Sequence, residues 1–558
     1  MTLSSSCRLS PLVLALATLP LAAFGQTIPN SGQILQQVEP REPTRPSVEP
    51  SLNIESPSTP ASTDATPFAV TRLDIEGNTA IPTATLHALI ANGEGRTLTL
   101  TELNTLAQRI TDYYRAHGYP LARAFIPAQA LDSGTVQIRV VEAHYDKVQA
   151  VNHSRASDRL VDATLASLHA GTVVKRSTLD HSLLLLGELP GASPQATLKP
   201  GTTPGTSSLD VDVAVTPTVQ GTVSLDDAGT RYTGRLRAGA SVAINEPLHQ
   251  GDQLNVDVLT AGHGMRYGRL GYQFTLNGQG TRLGAAYSAL AYDLGGPLRA
   301  LDANGTAQVG SAWLTQPLLR TRNGRLDARL QFDHKQLRDT IGAATLNNDR
   351  HTDSATLSVV GQRADTWAGG GNNSATLGIS HGSLNFEGAA AAAADAGSAR
   401  TQGSYTHWNA SLARLQNIVP GTRLYVSVSA QHGTGNLDSS EQFLLGGSDS
   451  VRGYGVASVA GDSGWIGTLE LRHDLDWDCA GHCMGSVFVD HGELRINSDP
   501  WTTGPNHSQL SSAGVGFTWI GARQWQAQVQ VAKPIGDQSL LTAKQPDARI
   551  WLWLLKGF

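Results

Sequence analysis

The chain has 558 residues, which is too long for one ordinary domain and predicts several. Charged residues make up 16% of it and the formal net charge is -6, so nothing in the composition indicates a nucleic-acid partner. A membrane-spanning helix needs roughly 18 consecutive apolar residues, and the sequence contains no such run.

Residues 1–25 predict a secretory signal peptide. Arg8 precedes an apolar stretch over residues 12–24, and the small residues Ala23 and Gly25 flank the expected cleavage region. The alternative is a buried helix, which the terminal position disfavours. Cleavage near residue 25 would export the rest of the chain.

Two cysteines remain after Cys7 is removed with the signal peptide. Export brings Cys479 and Cys483 into an oxidising compartment, so we expect a small disulfide loop. The alternative is a metal site that uses His482 and nearby aspartates, but three ligands within five residues would be cramped. We therefore expect a disulfide and no metal.

A short helix and a linker are predicted next. In residues 26–38, Ser31 can cap a helix that carries Ile34, Leu35 and Val38 on one face. Residues 39–67 are rich in Pro, Ser and Thr and cannot build a core, which predicts a linker.

Two consecutive copies of one β-α-α-β-β unit are predicted after the linker, over residues 68–143 and 144–217. The first copy has predicted strands at residues 69–75, 122–126 and 136–141, and helices at 83–91 and 101–116. The second has predicted strands at residues 147–151, 196–198 and 209–215, and helices at 157–168 and 176–189. A repeated small α+β unit indicates a modular arm and not a catalytic core.

Residues 218–558 alternate with the period of a β-strand. Leu424, Val426 and Val428 share one face, and the residues between them are polar. A soluble sandwich or propeller would bury the apolar face, whereas a transmembrane barrel would turn it to lipid. The signal peptide, the Gly/Asn/Ser-rich connections at 369–373 and 388–400, and the aromatic residues near the C-terminus favour a barrel. Its length fits about 16 strands.

Two motifs stand near the end of the predicted barrel. The first, in a Gly/Ser-rich segment over residues 446–464, consists of Val451, Arg452, Gly453 and Tyr454. The second, in a strand-like segment, runs over residues 488–492 and includes Phe488, Asp490 and Gly492. The loop arginine can reach the strand carboxylate if the loop folds back. The alternative is an ordinary loop arginine and an aspartate at the end of a strand.

With these parts in order, the mature chain resembles the two-partner secretion outer-membrane transporters (TpsB proteins) of the haemolysin- and haemagglutinin-secretion type. Their superfamily also contains the barrel-assembly insertases. Four features carry the resemblance. The first two are the short helix on its linker and the pair of α+β units, which look like polypeptide-transport-associated (POTRA) domains. The third is the set of segments 225–235, 245–248 and 251–254, which are similar to the start of the family's barrel, and the fourth is the pair of motifs around Arg452 and Asp490.

The resemblance implies a 16-stranded barrel behind two POTRA-like domains, with residues 31–38 as a plug in the pore. It implies that the sixth extracellular loop folds into the lumen and that Arg452 pairs with Asp490 on the wall, beside Phe488 and Gly492. Gly453 would allow a tight turn, and Tyr454 would pack while forming a hydrogen bond. Losing one partner of such a desolvated pair would cost roughly 3–5 kcal/mol.

The implied function is export of one unfolded partner protein from the periplasm to the cell surface without ATP. The expected partners are a large secreted protein, β-helical and encoded nearby, outer-membrane lipid, and, during biogenesis, the barrel-assembly machinery and periplasmic chaperones. We expect no catalytic residue and no cofactor. The alternatives are a barrel-assembly insertase of the same superfamily and, from other classes, a passive porin or an outer-membrane enzyme.

Overall fold

The computed structural model describes residues 28–39, 51–54, 67–130, 134–536, 541–542 and 545–558. The predicted signal peptide lies outside the described residues. Among those residues, no helix is both long enough and apolar enough to span a membrane.

The N-terminal part contains helix α1 (Ser31–Val38) and strand β1 (Ser51–Ile54). The residue that caps α1 is Asn30, whose side chain accepts a hydrogen bond from the backbone of Gln33, and not Ser31 as expected. Strand β1 lies inside the predicted linker and pairs in parallel with a strand of the second unit. Leu52 and Ile54, two residues apart, pack against the core of the second unit, so the strand carries a short period-2 pattern within the Pro/Ser/Thr-rich stretch.

The first α+β unit packs two helices against a small sheet. Its elements are β2 (Phe68–Val70), β3 (Arg72–Glu76), α2 (Thr83–Ile90), β4 (Arg96–Leu98), α3 (Leu100–Ala116), β5 (Arg123–Phe125) and β6 (Thr135–Val141). The predicted strand over residues 69–75 is in fact two strands, because β2 pairs with β4 whereas β3 pairs with β6. Thr99 and Glu102 form a capping box that starts α3.

The second unit repeats this plan with longer strands. Its elements are β7 (His144–Asn152), α4 (Asp158–Leu165), α5 (Arg176–Gly187), β8 (Ala192–Pro200) and β9 (Thr206–Val215). The sheet order is β1-β8-β9-β7, so β1 covers the edge that β8 would otherwise expose. Fully buried leucines and valines of α5 and β9, such as Leu183 and Val213, form the core with the other strands.

Sixteen strands close into a barrel, as predicted. They are β10 (Val219–Asp226), β11 (Arg237–Asn245), β12 (Gln253–Thr260), β13 (Met265–Thr275), β14 (Arg282–Asp293), β15 (Ala303–Thr321), β16 (Gly324–Ile341), β17 (Leu346–Asp365), β18 (Gly371–Phe386), β19 (Gly403–Val419), β20 (Thr422–Gly433), β23 (Ser463–Leu475), β24 (Gly481–Arg495), β25 (His507–Gly521), β26 (Trp525–Pro534) and β27 (Arg549–Gly557). All neighbours are antiparallel, and β27 closes onto β10 from Thr222 opposite Gly557 to Asp226 opposite Trp553.

The outer face of the barrel is apolar and exposed. Val426 and Val428 on β20 and Val529 and Val531 on β26 point outward, whereas Gln530 between the last two is buried on the lumen side. A soluble sandwich would bury these valines, so their exposure indicates a surface for lipid. The period-2 pattern of the sequence therefore marks lipid-facing and lumen-facing positions.

The second unit contacts the barrel turns at residues 246–252 and 322–323, which are thus the periplasmic turns, and the opposite loops are extracellular. Helix α6 (Ala389–Ala396) lies in the fifth extracellular loop, where only an irregular connection was predicted. The sixth extracellular loop, residues 434–462, contains β21 (Phe443–Leu445) and β22 (Val459–Gly461). Short 3-10 helices occur at Ala91–Gly93, Gly296–Leu301, Gly342–Ala344, Trp367–Gly369 and Ala522–Gln524.

Candidate functional site in the barrel lumen

The tip of the sixth loop lies inside the barrel. Strands β21 and β22 pair as a short hairpin, and the chain between them carries the first motif. Val451 and Tyr454 are fully buried in an apolar cluster with Leu445, Leu494 and Leu510. Since the last two lie on β24 and β25, the loop tip packs directly on the inner wall.

Arg452 contacts Asp490, as the resemblance implied. Its Nε and Nη2 donate to the two carboxylate oxygens at 3.0 and 2.7 Å, and its backbone N donates to Oδ2 at 3.1 Å. The side chains of Arg452 and Asp490 are 6% and 0% exposed, so the pair is almost wholly removed from water. Such a bidentate pair balances the charge of Arg452 and also fixes the position of the loop tip.

Residues of the barrel wall hold the Asp490 carboxylate in place independently of the loop. Thr468 on β23 and Ser512 on β25 each donate a hydroxyl hydrogen bond to it at 3.0 Å. Both residues lie opposite Asp490 in the strand register. The carboxylate of Asp490 is therefore oriented by the wall to accept hydrogen bonds from an arginine.

A second carboxylate shares the arginine, and the sequence reasoning missed it. Arg452 Nη1 donates to Glu470 at 2.8 Å, and Arg472 on the same strand donates to the other oxygen of Glu470 at 3.0 Å. Two arginines thus balance two carboxylates. The signal was available in the alternation, because Glu470 and Asp490 both fall on the lumen face of neighbouring strands.

Arg452 also contacts two aromatic residues, one through its side chain and one through its backbone carbonyl. The guanidinium carbon lies 3.3 Å from the ring centre of Phe488, and Trp551 Nε1 donates to the backbone carbonyl of Arg452 at 2.7 Å. A side chain at Gly514 would collide with the Phe488 ring, so a glycine is needed there. The sequence marks Trp551 only as one of the C-terminal aromatic residues and does not predict this contact.

The glycines of the two motifs permit close approach and not an unusual turn. A Cβ on Gly453 would lie 2.8 Å from Pro534 and Ser512 on the wall, and the backbone of Gly453 does not have positive φ. The chain does turn tightly at Gly453, where the backbone N of Tyr454 donates to the carbonyl of Val451 at 3.1 Å, but close packing on the wall and not positive φ is what favours glycine there. A Cβ on Gly492 would lie 2.9 Å from Leu445 of the loop, so Gly492 shapes the wall as expected.

Tyr454 packs as expected but makes no hydrogen bond. Its hydroxyl is buried and near the backbone of Ser511, yet it reaches no partner in hydrogen-bond geometry among the described residues. The contribution of Tyr454 to the loop position is therefore apolar packing.

Helix α1 lies in the lumen against the opposite wall. Ile34, Leu35 and Val38 are all buried, and they pack in one cluster with side chains of β13 to β16 and the first and third extracellular loops: Tyr232, Met265, Tyr267, Leu290, Tyr292, Leu294, Ala303, Ala307, Val309 and Leu337. The predicted face of the helix is thus the face that contacts the wall. A helix of eight residues needs such contacts to persist.

A polar junction joins α1 to the sixth loop. The backbone N and hydroxyl of Ser31 donate to Asp339 on β16 at 2.7 and 2.9 Å. Arg350 on β17 bridges Asp339 and Asp438 of the sixth loop, each at 2.7 Å, and it is 2% exposed. Ser439 of the loop also donates to Asn30 at 2.8 Å. Helix and loop therefore share one arginine-centred anchor.

Another buried ion pair holds the stem of the sixth loop. Lys335 on β16 donates to Glu441 at 2.8 Å, and the ring of His407 on β19 lies 3.2 Å from the second oxygen of the same carboxylate. The loop is thus fastened to three separate parts of the wall: through Arg452, Arg350 and Lys335.

The second α+β unit is joined to the barrel by further ion pairs. Arg320 near the periplasmic end of β15 donates to both oxygens of Glu188 at 2.5 and 3.1 Å, and to Asp327 at 2.6 Å. Its side chain is only 3% exposed. Arg322 in the adjoining turn donates to Asp180 of α5 at 3.0 Å.

Cys479 and Cys483 form a disulfide in the periplasmic turn between β23 and β24. Because their sulfurs are bonded to each other, they are not available as thiolate ligands, and His482 instead contacts Asp474 at 3.1 Å. In the part of the chain that the structure describes, no group of three or more His, Cys, Asp or Glu side chains is arranged to hold a metal ion.

The ion pairs of the lumen hold the sixth loop and α1 in position inside the barrel. The three anchors are ion pairs with hydrogen bonds, and each connects the sixth loop to a barrel strand. Such contacts can be exchanged without breaking the barrel, since the strands keep their own backbone ladder. The lumen therefore contains two segments, the sixth loop and α1, that side-chain contacts and not the strand ladder hold against the wall.

Comparisons with known proteins agree with this architecture. The family model of the haemolysin secretion/activation protein ShlB/FhaC/HecB matches residues 205–519, more than half of the chain, and the model of the ShlB-type POTRA domain matches residues 68–143. The heme/hemopexin transporter protein HuxB of Haemophilus influenzae is 26% identical over 550 residues, which are 96% of each protein.

Solved structures share the fold. CdiB from Escherichia coli superposes with a TM-score of 0.70 at 20% identity, over 90% of this chain and 93% of that one. BamA from Haemophilus ducreyi lacking POTRA domains 1-3 gives a TM-score of 0.50 at 14% identity, over 88% of this chain and 100% of that one. The chain thus belongs to the ShlB/FhaC/HecB family of haemolysin secretion/activation proteins, two-partner secretion transporters of the outer membrane.

Proposed function

We propose that this transporter conducts one large, unfolded partner protein through its lumen after α1 and the sixth loop leave their resting positions. The observation that carries the proposal is the shared anchor, in which Arg350 binds Asp339 beneath the start of α1 and Asp438 in the sixth loop. Because one arginine serves both obstructions, moving either one weakens the hold on the other. Residues 31–38 are the plug, and Arg452 with Asp490 is the latch of the loop.

We propose the division of the chain made from its sequence: signal peptide 1–25, plug 26–38, linker 39–67, POTRA-like domains 68–143 and 144–217, and barrel 218–558. The two domains extend into the periplasm and receive the partner as an extended segment at a sheet edge. An extended segment can pair at the β8 edge, because β1 does so in parallel over four residues, and the partner takes this edge in place of β1.

The partner is a secreted protein, and we propose that it is β-helical and encoded near this chain. Folding of the partner outside the cell makes its return unfavourable and supplies the driving force without ATP. Outer-membrane lipid covers the exposed valine-rich face, and the barrel-assembly machinery and periplasmic chaperones act during biogenesis. We assign no catalytic step and no cofactor, since each buried charged residue described above has a structural partner.

An insertase of the same superfamily is less well supported. The family model that matches more than half of the chain describes secretion proteins. The plug also favours a lumenal route, because a helix in the pore has no evident role in delivering a strand sideways into the membrane.

Co-expression tests the proposed function. The chain and the large exported protein encoded beside it are produced together in a host that lacks both, and the partner is measured in the medium and at the cell surface. We expect export with the full chain and periplasmic retention with a variant lacking residues 68–217 whose barrel still shows heat-modifiable mobility. Retention with the full chain as well would contradict the proposal.

A further inference from the structure

A cavity of about 160 Å³ lies at the extracellular end of the barrel, next to the latch. Its walls come from three separate segments: the first extracellular loop (residues 227–236), the part of the sixth loop just after Tyr454, and the start of β27 with the residues before it. Its lining residues are Gly229, Thr230, Arg231, Tyr232, Arg235, Gly455, Val456, Ser458, Gln545, Pro546 and Arg549.

Arg549 is the charged residue that the start of β27 contributes to this cavity. It lies two residues before Trp551, whose side chain reaches Arg452 in the lumen, so Arg549 faces the same side. Its Nε is buried and has no hydrogen-bond partner among the described residues. Its Nη2 donates to the amide oxygen of Gln545, but that hydrogen bond is long at 3.3 Å and is made to a neutral group. A half-buried guanidinium with such contacts is under-satisfied.

Two more arginines line the same cavity from the first extracellular loop. Arg235 lies 3.3 Å from Asp227, and that carboxylate also accepts the backbone N–H of Leu552 at 2.8 Å. Arg231 lies over the ring of Tyr232 and donates to its hydroxyl. Among the described lining residues there are three arginines and no carboxylate, so the cavity carries excess positive charge.

We propose that this cavity binds a tetrahedral oxyanion of the phosphate type. Arginine recognises phosphate through paired N–H donors, and a cavity of this volume readily accepts a group only a few water molecules in size. The bound anion connects the first loop, the sixth loop and β27. It therefore stabilises the sixth loop in its inward position. Free phosphate and the phosphate groups of outer-leaflet lipid A share this chemistry.

The inference does not depend on the proposed export function, and binding tests it directly. The purified full chain in detergent micelles is titrated calorimetrically with inorganic phosphate, against chloride at matched ionic strength. We expect one site that weakens by about tenfold or more in Arg549→Gln. Arg299→Gln, which removes an exposed arginine of the third extracellular loop, is the matched control and is expected to bind as the wild type does.

A second arm uses micelles with lipid A or its dephosphorylated form and no inorganic phosphate. Binding of inorganic phosphate alone supports a soluble ligand, and binding of lipid A only, dependent on its phosphates, supports a lipid-borne one. If Arg549→Gln loses its heat-modifiable barrel, Arg231→Gln replaces it with the same expectation. Absence of binding in both arms, or binding that these substitutions leave unchanged, overturns the inference.

Discussion

Replacing Arg452 with alanine is expected to release the sixth loop from the wall while the barrel itself remains folded. The substitution removes the side-chain hydrogen bonds to Asp490 and Glu470 and disturbs the alignment of the backbone bond to Asp490. It also removes the cation stacked on Phe488. The sixteen-strand backbone ladder does not involve any of these contacts.

The magnitude follows from burial. Asp490 is 0% exposed and Glu470 is 6% exposed, so the variant leaves one carboxylate unpaired in a nearly dry site. Breaking a buried pair in this way costs roughly 3–5 kcal/mol. If the cost of roughly 3–5 kcal/mol falls on the inward position of the loop, the ratio of released to inward loop rises on the order of 10²- to 10⁴-fold.

Labelling of a single introduced cysteine measures that ratio. Val451→Cys is a near-isosteric change at a fully buried position beside Arg452, and the native cysteines are joined in a disulfide. An impermeant thiol reagent added outside intact cells reacts with the introduced thiol only when the loop leaves the wall. We expect labelling to be slow with Arg452 present and faster by on the order of 10² with Arg452→Ala, accompanied by a sharp loss of partner secretion.

The matched control is Arg472→Ala. Arg472 pairs with the same Glu470 but belongs to the wall and is 28% exposed, so its loss should change labelling by less than about tenfold. Normal secretion and unchanged labelling in Arg452→Ala would refute the latch. Loss of the heat-modifiable barrel in Arg452→Ala would instead refute the separation of latch and barrel stability.

Deletion of residues 26–38 should raise ion conductance in planar bilayers without abolishing secretion, and unchanged conductance would argue against a plug. Arg320→Ala should expose the junction after the second unit to limited proteolysis and weaken export, because Glu188 loses a bidentate partner worth up to roughly 3 kcal/mol; equal proteolysis would contradict this. Burial, with the charge of Asp252 second, raises the pKa of Glu246 in the first periplasmic turn from 4.5 to about 7. The stability that goes with the raised pKa of Glu246 is fully present below pH 4.5 and is lost as the pH rises through 7. Glu246→Gln should therefore raise the thermal midpoint at about pH 8 and leave it unchanged at about pH 4.

Much of the architecture could be predicted because it repeats. The alternation of apolar and polar residues persists over residues 218–558 and fixes both the strand count and the lipid-facing side. The helix over residues 31–38 and the face carrying Ile34, Leu35 and Val38 also followed from a local pattern, although the cap is one residue earlier, at Asn30.

The site was only partly predictable, because its contacts join distant segments through wall positions. Glu470 could have been found from its register beside Asp490, since both fall on the lumen face. Arg350 could not have been found in this way, because it bridges Asp339 and Asp438 only when the loop folds inward. No local sequence pattern predicts that fold of the loop. Strand β1 has only a two-residue signal, Leu52 and Ile54, which pack against the second unit, and so short a pattern is difficult to recognise within a Pro/Ser/Thr-rich stretch.

The passage of the partner through the lumen is tested most directly by site-specific photocrosslinking. Gln528 lines a lumenal cavity beside the sixth loop, and its neighbour Val529 is exposed on the lipid side of the same strand. A photocrosslinking residue is placed at either position while a partner fused to a stably folded domain is stalled during export. The account predicts crosslinks to the partner from position 528 and none from position 529. Crosslinks from position 529, or their absence from position 528 while export is stalled, would contradict it.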